Sequence, residues 1–233
     1  MKKLITLLAF ITLTLVAQAQ RKDYVVTLTT TKGTAHIVLY DETPLHKANF
    51  LKLVNEKFYD SLMFHRVIEK FMIQGGDPNS KNAKPGARLG NGGGNMEKIP
   101  FEYSPERIHK RGALAAARDN NPEKKSSACQ FYIVQGRKFA DEELTKNEKN
   151  NSLTYTADQR ATYMTTGGTP FLDNKYTVFG EVVDNLKLID DIATVQKDEA
   201  DRPVEDIKMS MTVKKLRKKK ITKLYGYKYP KKK

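Results

Sequence analysis

Residues 64–78, Phe64-His65-Arg66-Val67-Ile68-Glu69-Lys70-Phe71-Met72-Ile73-Gln74-Gly75-Gly76-Asp77-Pro78, tie the chain to a β-rich fold more tightly than any other stretch. Leu62 to Ile68 is a β-favouring run, and its period of two sets Phe64, Arg66 and Ile68 on one face and Met63, His65 and Val67 on the other. Glu69-Lys70 interrupts it. Phe71 to Ile73 resumes the apolar pattern, and Gly75-Gly76-Asp77-Pro78 ends it, because glycine admits positive φ and proline cannot donate to a ladder. One arginine therefore sits among large apolar side chains. The plain reading is a strand arginine whose stem lies on the sheet and whose head stays in water.

The rest of the chain is punctuated in a similar way. Tyr24 to Thr30 and Thr34 to Tyr40 are β-rich runs joined by Thr31-Lys32-Gly33, which suits a hairpin. Asp41-Glu42-Thr43-Pro44 then supplies a capping hydroxyl and a first-turn proline, and Phe50, Leu53, Val54 and Phe58 follow at helical spacing. Ala87 to Asn95 is glycine-rich, but no helix opens after it and no Lys-Ser or Lys-Thr pair follows, so a nucleotide loop is excluded in favour of an irregular loop beside a pocket. Arg111 to Arg118, RGALAAAR, reads as a strand whose small side chains let another backbone approach. Arg137 to Thr169 is polar, with a capping-box pattern from Thr156 to Gln159 that predicts a short helix through Met164 ended by Gly167-Gly168. It reads as an insertion, either a lid or a solvated surface excursion. Asn185 to Ile192 suits another helix, and Ile207 to Val213 alternates as a closing strand.

The stretch 64–78 resembles the signature of the cyclophilins, the peptidyl-prolyl cis/trans isomerases. Four further stretches are similar to that family: Gly90-Asn91-Gly92-Gly93, Arg111 to Arg118, Ser126 to Val134 (SSACQFYIV) and Thr169 to Gly180 (TPFLDNKYTVFG). Together the similarity covers roughly residues 22–213, apart from the insertion and some loops. It implies a mainly β fold, a closed eight-stranded antiparallel barrel capped by two α-helices, with the insertion at about 137–169. It implies catalysis by Arg66 and substrate binding by Phe71, Met72, Gln74 and Gly90, by Ala117 and Arg118, by Gln130 and Tyr132, and by Phe171, Leu172 and Tyr176. Ala115 and Ala116 depart from the family's Ser-Met. Tyr132 adds a hydroxyl to a phenylalanine position and must find it a partner. The chain has no tryptophan, so the indole that many members carry at Phe171 is absent.

The reaction implied is X-Pro isomerisation without a cofactor, on unfolded or proline-containing polypeptides. A proline-binding chaperone or adaptor with incidental turnover is the alternative. Cys129 is the sole cysteine, so no internal disulfide forms, and His36, His46, His65 and His109 lack paired metal spacings. At the start, Lys2 and Lys3 precede an apolar run from Leu4 to Val16 and then Ala17-Gln18-Ala19, the pattern of a signal peptide over residues 1–19. A periplasmic or secreted monomer is expected. Residues 214–233 hold eleven Lys or Arg and no acid, most of the net charge of +14. They read either as an extended solubilising tail or as an attachment to an anionic surface, and export removes nucleic acid as a physiological partner.

Overall fold

The computed structural model describes residues 22–230, so the expected signal peptide lies outside the described residues. Eight strands make one antiparallel sheet: β1 Lys22–Thr30, β2 Gly33–Leu39, β3 Phe64–Ile68, β4 Met72–Gly75, β5 Ala113–Ala116, β6 Phe131–Val134, β7 Val178–Val182 and β8 Met209–Arg217. Their order is β3-β4-β6-β5-β7-β2-β1-β8. Five α-helices accompany them among the described residues: α1 Pro44–Asn55, α2 Asp141–Asn151, α3 Ala157–Thr165, α4 Lys187–Ala193 and α5 Lys218–Tyr225. The first hairpin forms as its sequence predicts, with Thr30 opposite Gly33, whose φ of +141° favours glycine.

Alternation divides the sheet into two faces. Val26, Leu28, Ile37, Leu114, Phe131 and Ile133 point inward, where Phe50, Leu53 and Val54 of α1 and Leu188, Ile189 and Ile192 of α4 cover them. Val25, Val38, Met72, Ala115, Tyr132 and Val178 face outward and form a second apolar layer. The two helices thus complete the inner core, and everything placed on the outer layer is available to a ligand or to another part of the chain.

Three expectations are corrected. The sheet curls into a half-barrel that stays open, not a closed barrel. Its edge strands approach at one corner, where Met63 and Lys208 form an isolated bridge and Phe64 N donates to Ile207 O at 2.9 Å. Beyond that corner a bulge between Phe64 and Arg66 turns β3 away, and Val67 N donates instead to Asp201 O at 2.8 Å. The same bulge breaks the period of two: Phe64 packs with Val67 in the inner core, while Arg66 and Ile68 face outward. Second, residues 137–169 fold as two helices, α2 and α3, around a small core of Leu144, Tyr155 and Tyr163. The helical surface excursion thus has a core of its own, and the expected second-half helix is α3, whose start is closed by the reciprocal Thr156–Gln159 capping box.

The third correction is the basic tail. β8 runs past Val213, pairing Lys214 with Val25 and Arg217 with Lys22, and α5 follows directly. Ile221 is 0% exposed and joins the outer apolar layer with Tyr227. Burying such a side chain contributes about 1.5–3 kcal/mol, enough to hold a short basic helix against its own charge repulsion. Lys218 Nζ adds a contact to Asp41 Oδ2 at 3.3 Å.

Candidate active site

The candidate site lies on the outer face, and local geometry decides which side chains reach it. Phe131 and Ile133 point inward, so Tyr132 between them faces out, and Met72 on β4 does the same beside inward Ile73. Phe71, on the turn joining β3 to β4, and Leu172 and Tyr176 pack onto this layer. With Ala117 they line a cleft of about 300 Å³. Arg66, Gln74, Gly90 and Arg118 line it too.

The bulge aims Arg66 at this cleft. Its side chain is 43% exposed, and its ion-pair contact, Asp201 Oδ2, is 4.0 Å from Nε. Asp201 is held more closely by Lys197 Nζ at 2.6 Å. The guanidinium therefore keeps donors free for a ligand. A further donor, Nη1, is engaged by Gln74 Oε1 at 3.4 Å; Gln74 Nε2 donates to Gln130 Oε1 at 3.2 Å; and Gln130 Nε2 donates to the carbonyls of Gly90 and Gly92 at 2.8 and 2.9 Å. This one-way chain fixes both glutamine amides and sets Gln74 beside Arg66.

The glycine-rich loop is brought to the cleft by Asp77, which is 0% exposed and accepts from the backbone N–H groups of Asn79, Gly90 and Gly92. A Cβ on Gly92 would stand 1.9 Å from Asp77 Oδ1, so the loop closes over the carboxylate only with glycine there. Arg118 is anchored through Nε to Lys175 O at 3.1 Å and lies 4.7 Å from the Tyr176 ring centroid. The hydroxyl of Tyr132 finds His109 Nε2 at 2.9 Å, and burial pushes this phenol well above its ordinary range, so it remains a donor.

Ten of the residues nominated from sequence thus line one cleft. Gln130 lies in an adjoining hollow of about 330 Å³ that shares Gln74, Gly90 and Ala117. Phe171 is the exception: it is 43% exposed and leans on Phe71 from outside, with ring centroids 5.6 Å apart. No residue of 137–169 lines the cleft, so that insertion is not a lid over it. Sequence reasoning missed Leu89, Asn91 and His65, all of which line it. The first two flank Gly90 and were signalled by it; His65 was assigned to the far face because the bulge was not foreseen. Its ring is buried with neither nitrogen partnered among the described residues, and burial, opposed by Asp77 and reinforced by Arg66 and Arg202, pushes it down to about 4. Cys129 is buried and burial raises its thiol, so it is a packing residue. An apolar floor with one cationic fork and two fixed amides can hold a small apolar ring, grip a peptide backbone and present a donor. Among the described residues that line it, none is a nucleophile poised for covalent chemistry.

Comparison with known proteins bears on the family and the fold. Residues 25–214 match the family described as cyclophilin type peptidyl-prolyl cis-trans isomerase/CLD. A putative bifunctional phosphatase/peptidyl-prolyl cis-trans isomerase of Streptococcus pyogenes is 40% identical over 189 residues, covering 78% of this chain and 37% of that protein. The chain thus spans little more than a third of that relative. A putative peptidyl-prolyl cis-trans isomerase of Staphylococcus saprophyticus is 33% identical over 172 residues, covering 73% of this chain and 80% of that one. Among solved structures, a cyclophilin type peptidyl-prolyl cis-trans isomerase of Cryptosporidium parvum superposes with a TM-score of 0.61 at 22% identity, covering 82% of this chain and 96% of that one. A second structure of that protein, obtained in the presence of the dipeptide Ala-Pro, gives 0.59 at 21%, covering 82% and 98%.

Proposed function

The chain belongs to the cyclophilin-type peptidyl-prolyl cis-trans isomerases, and on that premise we propose that it accelerates X-Pro isomerisation in exported polypeptides, with Arg66 as the transition-state donor. A planar prolyl amide is held by resonance behind a barrier of about 18–20 kcal/mol. When the bond twists, resonance is lost, the nitrogen lone pair becomes a hydrogen-bond acceptor and the amide becomes less polar. The apolar floor of Phe71, Met72, Tyr132 and Leu172 takes the proline ring and favours the less polar twisted amide over the planar one. Arg66 donates to the lone pair as it develops, an interaction that is weak in the planar ground state and therefore lowers the barrier. Gln74 and Gln130 hold the flanking backbone. No proton leaves the protein and no bond is made, so the step needs no cofactor.

The observation that carries this reading is the freedom of Arg66: a guanidinium at an apolar cleft with no ion pair closer than 4.0 Å among the described residues. A surface that only gripped proline would have no use for it. Export is supported by Lys2, Lys3 and the apolar run from Leu4 to Val16, and it makes the clients proteins that fold outside the cytoplasm. The test is a protease-coupled assay on short X-Pro peptides, using protein recovered from the exported fraction, where the chain should begin at Gln20. Arg66→Ala should lower turnover on the order of tenfold to a thousandfold, with a much smaller change in peptide affinity. Unchanged turnover would remove Arg66 from the mechanism. Peptide binding without turnover in the parent would make the protein a proline-binding adaptor.

A further inference from the structure

Behind the cleft, on the side away from solvent, lies a run of buried polar groups that the isomerisation scheme above does not use. Asp173 follows Leu172 directly in the chain, and its carboxylate takes four donors. Oδ1 accepts the backbone N–H of His109 at 2.8 Å and lies 2.7 Å from His109 Nδ1; Oδ2 accepts the hydroxyls of Tyr155 at 2.7 Å and Tyr163 at 2.6 Å. Tyr163 belongs to α3, and Tyr155 to the link between α2 and α3. Because a carboxylate only accepts, the Nδ1 contact places the proton of a neutral imidazole on Nδ1 and leaves Nε2 as the lone pair that receives the Tyr132 hydroxyl. Burial pushes both insertion phenols up, which keeps them donors.

We infer that residues 137–169 are a positioning element for the proline pocket: Tyr155 and Tyr163 hold Asp173, Asp173 orients His109, and His109 fixes Tyr132 in the cleft wall. The inference rests on the isomerase reading of the cleft. Two further contacts point the same way, since Asn147 of α2 donates through Nδ2 to Tyr155 Oη and to the carbonyl of Pro170, each at 2.9 Å, bracing the turn that delivers Leu172. The backbone is fastened as well. Gly168 bridges to both Lys110 and Arg137, and a Cβ on it would meet His109 O at 2.3 Å. A satellite core kept for stability alone needs only the rings of Tyr155 and Tyr163. Their oxygens converge on one carboxylate oxygen, two hydrogen-bond steps from the substrate wall.

Tyr→Phe variants separate the two roles, because each removes one oxygen and leaves the ring packed. In the full mature protein, Tyr155→Phe with Tyr163→Phe should lower kcat/KM about three- to tenfold, mostly in kcat, with KM moved less than twofold. In a Tyr132→Phe background the same pair should cost less than twofold, since the connection to the wall is already cut. If the pair does not fold, Tyr155→Phe alone carries the same cycle. An undiminished parent, or an equal loss in both backgrounds, overturns the inference, the latter showing a general packing effect. A second readout is the lifetime of the His109 Nδ1 proton against exchange with water, measured by NMR. It should shorten at least tenfold when the insertion hydroxyls are removed, and an unchanged lifetime refutes the hold on Asp173. A parent with no turnover would overturn the isomerase reading instead, a result distinct from a failed cycle in an active enzyme.

Discussion

His65 and Arg66 are chain neighbours sent to different environments by one bulge, and the sharing of a cleft gives each a measurable signature. Arg66 keeps its charge in water's reach. His65 is buried, and its imidazole is held at about 4 against an ordinary value of 6.5, so the native protein resists protonating it. The sign follows from the protons bound. Above pH 6.5 neither the folded nor the unfolded chain charges this ring. Between 6.5 and about 4 the unfolded chain takes up a proton that the folded one refuses, so stability is lost as pH falls through that window, by about 3 kcal/mol in all. His65→Gln should therefore flatten the acid limb of a urea-midpoint profile between pH 6.5 and 4 relative to the parent. Parallel profiles would mean that His65 is solvated in solution. The bulge itself could not be read from sequence, because Phe64 to Ile68 is one unbroken β-favouring run with no turn residue to mark it; the extra residue shows only when β4 is laid against it and Arg66 falls opposite Gln74.

At the scale of elements, legibility tracked locality. The first hairpin, α1 and the capped start of α3 carry their signals within a few residues, and all three form, although the Thr43 hydroxyl makes no cap and α1 ends at Asn55, short of Phe58. The first insertion helix, α2, has no such stripe: only Leu144 and Asn151 are buried in it, and its N-cap is Ala140, with Glu143 reaching back to the Ala140 N–H in place of a capping hydroxyl. The chain end was harder still. Lysine-rich residues 214–217 become strand only because β1 offers an edge across a large sequence distance, which local pattern cannot show. The signal that was present was the apolar Ile221 and the aromatic Tyr227 set among the lysines. Ile221→Ala should accordingly lower unfolding free energy by about 2–5 kcal/mol, as for other buried aliphatic truncations, read from the urea midpoint at constant m. Truncation after Val213 should cost at least as much, because it also strips the Lys214–Arg217 pairing from β1. A truncated chain as stable as the parent would show that the helix does not stay docked in solution.

Across the whole molecule, charge and chemistry are placed on different strands of the sheet. The cleft stands on β4 and β6, while the basic segment adds to β8 and β1, with β5, β7 and β2 between. Lys214, Lys215, Arg217, Lys219, Lys220, Lys223 and Lys228 are exposed, and Leu224 stands among them at 54% exposure. Because Ile221 and Tyr227 anchor this segment, its charges form a fixed patch, not a diffuse cloud. A fixed patch concentrates attraction on one surface, and near an anionic membrane each cation contributes about 1 kcal/mol. We therefore expect the mature protein to bind vesicles containing anionic lipid at low salt. The Debye length falls from about 10 Å at 0.1 M to about 3 Å at 1 M, so binding should largely vanish over that range. Truncation is a poor probe, because it removes the anchor together with the charge. Lys219→Gln, Lys220→Gln and Lys223→Gln together leave Ile221 and the β1 pairing intact and should weaken vesicle co-sedimentation at 0.1 M salt by about tenfold to a hundredfold, with turnover on small X-Pro peptides unchanged. Equal sedimentation of parent and variant would mean that the patch is a solubilising face. A parallel fall in turnover would mean that the basic segment and the cleft are coupled through the outer apolar layer they share.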